Sequence, residues 1–276
     1  QRPSFVETGR EAGLDFSHTS GAAGDYFLIE TMGAGAAFID YDGDGWQDIY
    51  LVNGFELLPW RQQLKAVNLV KEDEEGYWVL ENFTPPLRYD GRVDSSLFLL
   101  RQEDGVLPRS NALYHNNGAG AFAAVAGPGT AGDTGYGMGC AVGDYDNDGR
   151  PDLYVTNYGA NTLYHNTANH NTADQDTDAG PFADVTAMAG TGDPHWGSSA
   201  AFFDYDNDGD LDLYVANYLD LSPGNNRLCG GAVASAKSPQ GRALRVPLAH
   251  RTYCSPRRYN GAPDVLYRNE GDGTFV

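Results

Sequence analysis

The chain has 276 residues, which is enough for one large or two small domains. It carries 38 acidic but only 18 basic side chains, and the net charge of −20 argues against binding to nucleic acids or to anionic membranes. The 35 Gly, 17 Tyr and 12 Phe residues favour short strands and tight turns over helices, and no apolar run approaches the roughly 20 residues that span a membrane.

An acidic loop between two apolar runs occurs three times along the chain. The first copy, AFIDYDGDGWQDIYLVN, spans 37–53, and the others span 141–157 and 201–217. Each copy has Asp at positions 1, 3, 5 and 9 of a nine-residue loop and Gly at position 6. The carboxylates are those of Asp40, Asp42, Asp44 and Asp48; Asp144, Asp146, Asp148 and Asp152; and Asp204, Asp206, Asp208 and Asp212.

These loops predict about three Ca²⁺ sites. Four like charges so close together repel unless a hard cation neutralises them, and ligand sets made only of oxygen suit Ca²⁺ best. The backbone carbonyl at position 7 is a further expected ligand, supplied by Trp46, Arg150 or Asp210. The EF-hand, which shares the opening of this pattern, is excluded because it needs a Glu at position 12. Position 12 here is apolar in every copy (Leu51, Val155 and Val215). The alternative is a solvated acidic turn without an ion.

The loops belong to a longer repeating unit of about 50 residues. The unit opens with a Phe-containing strand, followed by a strand into the loop, the loop, a strand out of it, and a Leu-Tyr strand. Four strands in about 50 residues match one propeller blade, so the sequence predicts an all-β fold, a β-propeller that forms residues 1–276 as one domain or as a fragment. Residues 271–276 read as the opening strand of a fourth unit. We therefore expect that the chain continues past Val276 or that other chains complete the stack of sheets.

Two insertions interrupt the repeats, at about 54–110 and 218–261, and both follow the strand that leaves the loop. Repeat proteins commonly bind partners through insertions on one face, so we expect a protein partner or self-assembly, including filaments, through these segments. A glycan is the alternative ligand, with Trp60, Trp78 and Trp196 as candidate contacts.

The three cysteines are too few for a disulfide scaffold. Cys229 and Cys254 lie in the same insertion, where they either form a disulfide or remain as two free thiols. Cys140 lies in the strand before the second loop and is expected to be a small buried apolar side chain. Ca²⁺ sites and a disulfide both indicate an extracellular, secreted or cell-surface protein.

The D-x-D-x-D-G-x-x-D loops within four-stranded units resemble the FG-GAP (VCBS-type) repeats of integrin α-subunit propellers. Four longer phrases resemble the N-terminal propeller of the cartilage-acidic-protein/UnbV (ASPIC) family, namely those at 30–36, 135–139, 253–256 and 266–269. The resemblance implies a secreted or surface-exposed Ca²⁺-binding propeller whose inserted turns lie on the face opposite the Ca²⁺ loops. It leaves the biochemical activity open, and we expect an adhesion, recognition or assembly role.

No catalytic constellation is apparent, so we expect a protein that is not an enzyme. A Ca²⁺-dependent polysaccharide lyase is the alternative, and it would need a base or a carboxylate pair in a cleft. His115 and His165 occupy equivalent repeat positions and are expected to be structural, whereas His170 is expected to be exposed. The weak catalytic candidates are His18, His195 and His250. The paired carboxylates are all assigned to the loops.

Overall fold

The structure is a computed structural model, and it describes residues 6–22, 26, 28–54, 70–72, 78–80, 110–133, 135–168, 180–221, 229–230 and 251–276. The strands of these residues are β1 (Ala36–Ile39), β2 (Asp48–Leu51), β3 (Val70–Glu72), β4 (Trp78–Leu80), β5 (Ala112–Asn116), β6 (Phe122–Ala124), β7 (Tyr136–Gly143), β8 (Asp152–Asn166), β9 (Phe182–Asp184), β10 (Gly197–Phe203), β11 (Asp212–Asn217), β12 (Cys229–Gly230), β13 (Arg251–Thr252) and β14 (Val265–Tyr267). Helix α1 (Thr186–Ala189) and two 3₁₀ turns, Leu28–Thr31 and Pro256–Arg258, are the helical segments of the described part. None of these is long and apolar enough to cross a membrane. The predicted all-β class is confirmed.

Ten of the fourteen strands form three similar antiparallel units, whereas β3 pairs with β4 and β12 with β13 in separate two-stranded sheets. In the first unit the strand order is β1-β2-β5-β6, and in the second it is β7-β8-β9. Strand β8 folds back on itself and supplies two strands of its unit. The evidence is a hydrogen bond between its two ends, which the Asn166 N–H donates to the Asp152 carboxylate at 2.8 Å. A straight strand would separate these two residues by roughly 45 Å. The chain therefore turns back near Gly159, whose φ of 111° suits glycine. The third unit has the order β10-β11-β14, completed by a bridge between Asn269 and Phe275.

The Phe-containing strands close the units and do not open them. Strand β6 pairs with β5 and β9 with β8, so each follows the Leu-Tyr strand of its own sheet. At the end of the chain the Arg268 and Val276 backbones exchange two hydrogen bonds of 2.9 Å. The segment that the sequence suggested as the start of a fourth unit therefore completes the third. The order of elements in a repeat is circular, and only strand pairing shows where a sheet begins.

The apolar cores lie between neighbouring units. We call the face that a unit turns to the next unit its trailing face, and the opposite one its leading face. The first core joins the first and second units and consists of Ile39, Tyr50, Val52, Leu113, Ala131, Leu153, Val155 and Phe182. The second core joins the second and third units and consists of Tyr145, Tyr154, Leu163, Ala189, Leu213, Val215 and Phe275. The same repeat positions thus form both cores, and the second unit buries both of its faces against its neighbours.

The inner strands approach each other closely at small residues. A Cβ on Gly35 of the β1 edge would lie 3.0 Å from the Gly139 Cα in β7, and a Cβ on Gly139 would lie 3.1 Å from the Ser198 carbonyl oxygen in β10. A larger side chain at either glycine would push the neighbouring backbone away. The three sheets therefore converge along β1, β7 and β10, as propeller blades do at their inner edges.

A third core lies at the end of the sheets from which the insertions leave. Its centre is Trp196, whose ring meets those of Tyr158 and Tyr218 edge to face at centroid distances of 5.2 and 5.1 Å. Trp196 is only 2% exposed, so it packs the units together and presents no surface to a glycan. The other two tryptophans proposed as glycan contacts lie outside the described side chains.

The structure contains the predicted disulfide between Cys229 and Cys254, which are 25 residues apart. It joins β12 to the segment after β13, and a loop of this length contributes roughly 3–4 kcal/mol on a chain-entropy estimate. Nearby, the Tyr253 hydroxyl donates a 3.3 Å hydrogen bond to the Glu30 carboxylate, which anchors this end of the second insertion to the first unit.

Cys140 is the free cysteine of the described residues, and it is partly buried beside the first core. Burial raises the pKa of its thiol to about 11. At pH 8 roughly one thiol in a thousand is then ionised. We expect a disulfide reagent such as DTNB to modify native protein slowly and to titrate one thiol at once in 6 M guanidinium. Rapid modification of one thiol in the native protein would contradict this placement.

Candidate metal centres

The acidic loops share a backbone that turns twice into the left-handed region. Positions 4 and 6 both have positive φ, between 58° and 96°, in every loop (Gly43, Asn147 and Asn207; Gly45, Gly149 and Gly209). Gly and Asn are the residues that adopt this conformation at least cost. The Gly at position 6 is apparent as a repeated feature of the sequence, whereas the left-handed turn at position 4 is seen only in the structure. These two turns curl the loop so that its acidic side chains lie near one another.

The carboxylates at positions 1 and 5 are fixed by backbone N–H groups of their own loop. The position 1 carboxylate accepts the N–H of the position 6 glycine at 3.1, 3.0 and 3.2 Å in the three loops. The position 5 carboxylate accepts the N–H of position 7 at 2.8, 2.9 and 3.0 Å. Each loop therefore holds these side chains in one orientation before any ligand binds.

The ninth carboxylate, in Asp48, Asp152 or Asp212, is completely buried. One of its oxygens accepts the N–H of the loop Tyr at position 2, at 3.2, 3.1 and 2.9 Å in the three loops. Its other oxygen accepts the N–H of the Asn after the Leu-Tyr strand, at 2.7, 2.8 and 2.9 Å. The ninth position thus ties the loop to the sheet beneath it.

In each loop at least three of these side chains offer oxygens within 4.8 Å of one another. The groups are Asp40, Asp42 and Asp44; Asp144, Asp146 and Asp152; and Asp204, Asp206 and Asp212. In addition, the Asp40 Oδ1 atom is buried and has no hydrogen-bond donor among the residues that the structure describes. Oxygen-only ligands and an orphaned buried acceptor fit a hard divalent cation.

Other predicted ligands, among them Asp208 and the residues at position 7, lie outside these groups of three and make other contacts. Asp208 lies in the third loop outside this group of three, and its carboxylate accepts the Asp210 N–H. At position 7, the Arg150 side chain donates to the Asn166 carbonyl at 2.8 Å, and the Asp210 side chain accepts from Asn147 of the second loop at 2.8 Å. The coordinating role of the position 7 carbonyls stays a prediction.

Burial makes the inner carboxylates reluctant to ionise. It raises the pKa of Asp152 to about 7 and also raises the pKa values of Asp48 and Asp146, with neighbouring carboxylates adding to the effect. A cation between these groups would offset both the burial and the mutual repulsion. The electrostatics of the loops therefore favour a bound cation.

Two histidines border the first two loops, a placement that the repeat pattern of the sequence does not predict. The His115 Nδ1 atom lies 3.1 Å from an Asp42 oxygen and 3.4 Å from an Asp48 oxygen. The His165 Nδ1 atom lies 3.2 Å from oxygens of both Asp146 and Asp152. In the third unit the equivalent residue is Arg268, which pairs with Glu270. The recurrence of His after Leu-Tyr was the available signal, and it was interpreted only as structural.

An asparagine amide links each of the last two units to the loop of the unit before it. The Asn166 side chain donates to the Tyr41 carbonyl at 2.9 Å and to the Pro151 carbonyl at 3.0 Å. The Asn269 side chain donates in the same way to the Tyr145 and Leu211 carbonyls, at 2.7 and 3.0 Å. Loop geometry and packing between units are therefore coupled.

The other histidines do not assemble a reaction centre in the described part of the chain. His18 is exposed, and the His195 ring lies 2.5 Å from an Asp193 oxygen. His170 and His250 lie outside the described residues, as do most of both insertions.

A comparison with protein families matches the FG-GAP-like repeat over residues 90–155 and again over 144–215. The two matches include the second and third acidic loops, and the first loop lies between equivalent strands and makes the hydrogen bonds given above at positions 1, 5 and 9. No curated protein matches the chain. The molecule is thus an all-β, propeller-like protein built of antiparallel four-stranded units. Its chain carries FG-GAP-like repeats.

Proposed function

We propose that this protein is an extracellular Ca²⁺-binding β-propeller module that acts in adhesion, recognition or assembly. The observation that carries the proposal is a carboxylate cluster in each of the three loops, with oxygens of three side chains within 4.8 Å, beside a ninth Asp that is fully buried in every loop. A solvated turn has no need to bury a carboxylate or to repeat the arrangement in every unit.

The role we propose for the ions is structural. Ca²⁺ would be held by the four Asp side chains of each loop and by the position 7 carbonyl of Trp46, Arg150 or Asp210. A cation that binds only the folded loop stabilises it by mass action. Because Asn166 and Asn269 anchor the following units to these loops, a filled loop would also stabilise the contact between units.

The proposed location follows from the same features. The Cys229–Cys254 disulfide fits an oxidising compartment, and Ca²⁺ sites of moderate affinity fill in extracellular fluid. The resemblance to integrin α propellers and to the propeller of the cartilage-acidic-protein/UnbV family supports secretion or surface display. The inserted segments remain the proposed partner-binding elements, and we propose no catalytic role for them.

Titration calorimetry with CaCl₂ on protein stripped of metal tests the proposal. We expect about three ions per chain, one for each loop. The Asp206→Ala variant should lose one of them, because this side chain belongs to the oxygen cluster of the third loop. The matched control is Asp272→Ala, an exposed carboxylate outside the loops that only bonds Thr274. Absence of heat on Ca²⁺ addition, or an unchanged stoichiometry in Asp206→Ala, would overturn the assignment.

A further inference from the structure

The trailing face of the third unit is exposed at positions that are buried in the other two units. Tyr50 and Tyr154 are fully buried in the two cores, whereas the equivalent Tyr214 is 37% exposed. Leu113 and Leu163 are buried as well, whereas the equivalent Leu266 is 44% exposed. The exposed set of the third unit is Phe203 (41%), Tyr205 (43%), Tyr214 and Leu266. An apolar patch on one face of a sheet marks an interaction surface.

The leading face of the first unit is exposed in a complementary way. Phe38 of β1 is 68% exposed, whereas the equivalent Val142 and Phe202 pack against the first and second cores. The chain segment that precedes the first strand of each unit, here called the connecting segment, also lies on this face. Its position is fixed by one repeated hydrogen bond, from the Phe N–H of the closing strand to a carbonyl of the segment. Those carbonyls belong to Ala12, Gly129 and Ala189, at 2.6, 2.7 and 2.9 Å.

Two residues after that carbonyl, the connecting segment contacts the preceding unit. The carbonyls of Ala131 and Thr191 accept the hydroxyls of Tyr50 and Tyr154, at 2.6 and 2.8 Å. Both residues are buried, whereas Leu14, which holds this place before the first unit, is only partly buried. The segment before the first unit is therefore set up like its two counterparts, but within the described ranges no unit lies against it.

We propose that the trailing face of the third unit binds the leading face of the first unit in a second copy of this chain. The argument for this occupant is that the same two kinds of face already pack together twice within each copy. A second copy presents the matching partner surface, with Phe38 opposite Phe203 and the Leu14 segment opposite Tyr214. The contact goes beyond the proposed function, since it involves neither the insertions nor the metal.

The proposed interface differs from the two contacts within the chain in the hydrogen bond that the Tyr214 hydroxyl makes. Asp264 stands where the other units have Asn111 and Asn161, and its carboxylate accepts the Tyr214 hydroxyl at 2.7 Å. Tyr214 therefore contributes its ring to the interface and donates no hydrogen bond to the second copy. The interface is apolar, while each copy carries a charge of −20. Copies repel at low ionic strength, and association should strengthen as salt screens that repulsion.

The two faces differ, so the contact is head to tail. Such a contact produces a ring if the rotation closes and a filament if it does not. Disabling either face removes both contacts of every copy, because each contact needs one face of each kind. Two copies that lack different faces can still form a single contact.

Sedimentation velocity tests this arrangement on the full chain in Ca²⁺ buffer, from about 1 to about 100 µM, the affinity range of weak interfaces. The unmodified protein should show species larger than a monomer whose fraction rises with concentration. Leu266→Glu on the trailing face and Phe38→Glu on the leading face should each remain monomeric. Their equimolar mixture should form a 1:1 dimer and nothing larger. Phe203→Glu provides a second trailing-face variant, and Met188→Glu, 70% exposed on α1, is the control that should still assemble.

Three results would overturn the proposal. The first is a monomer at every concentration and at both low and high salt. The second is association that Leu266→Glu and Phe203→Glu abolish but Phe38→Glu leaves intact, since that pattern means two trailing faces paired symmetrically. The third is a mixture of the Leu266→Glu and Phe38→Glu variants that stays monomeric while the unmodified protein assembles.

Discussion

Chelation of Ca²⁺ with EDTA is expected to lower the melting temperature by about 15 °C or more. A site filled at 100 times its Kd contributes about 2.7 kcal/mol, so three loops contribute about 8 kcal/mol. In a protein of this size each kcal/mol shifts the melting temperature by about 2–4 °C. The physical cause is the set of carboxylates in each loop, which repel one another and are partly buried when no cation is bound. Differential scanning calorimetry with and without EDTA measures the shift.

The identity of the ion and of its ligands can be tested in the same assay. Added Ca²⁺ should restore the transition, and equimolar Mg²⁺ should not, because Mg²⁺ demands a smaller octahedral site and gives up its water reluctantly. Asp146→Ala and Asp206→Ala should each remove about a third of the Ca²⁺-dependent shift. Asp272→Ala should retain all of it. A melting curve that EDTA leaves unchanged would refute structural Ca²⁺ binding.

The double variant Asn166→Ala/Asn269→Ala is expected to destabilise the protein by about 4–6 kcal/mol. Each of these buried side chains donates two hydrogen bonds, one to the preceding unit and one to its own. The double variant leaves four carbonyls unsatisfied, at about 1–3 kcal/mol per buried group. Three of the four hydrogen bonds are only partly buried, so the cost per carbonyl should lie near the lower end of that range. The two sites lie at different unit contacts, so their effects should add. Urea unfolding followed by fluorescence measures the loss.

Asn116 is the matched control for this experiment. It has the same place after the Leu-Tyr strand, and its carbonyl oxygen accepts a backbone N–H as in the other two, but its amide donates only to the Gln47 carbonyl. Asn116→Ala should therefore cost about 1 kcal/mol or less. Equal losses in all three single variants would mean that the amides stabilise their own units and do not join neighbouring ones. Separate unfolding transitions in the double variant would support loss of coupling between units.

The fold class and the loop residues could be predicted from the sequence because they depend on local patterns. Asp at alternate positions, Gly at position 6 and short β-type flanks specify one loop conformation whatever packs around it. The frame of the repeat could not be predicted in this way. Phe275 was assigned to a fourth unit, yet strand pairing places it in the third.

The neighbourhood of the metal centres depends on strand register, which a sequence does not specify across a long insertion. The pairing of Ile49 with Tyr114 places the next residue, His115, beside Asp48. His115 and Ile49 are nevertheless 66 positions apart in the sequence. The pairing of Leu213 with Tyr267 brings Arg268 beside Asp212 by the same register. For this reason the histidines that border the loops were missed, whereas the acidic residues inside them were found.

Local patterns of residues specify the three acidic loops, the β-type units around them and the two cysteines that form the disulfide or stay free. Which side chains of those units are buried depends on how the units pack together. Tyr50, Tyr154 and Tyr214 follow the same loop in the same pattern, yet two are buried and one is exposed. The physical reason is that burial belongs to the contact between units, and a unit's own residues do not determine whether another unit covers them.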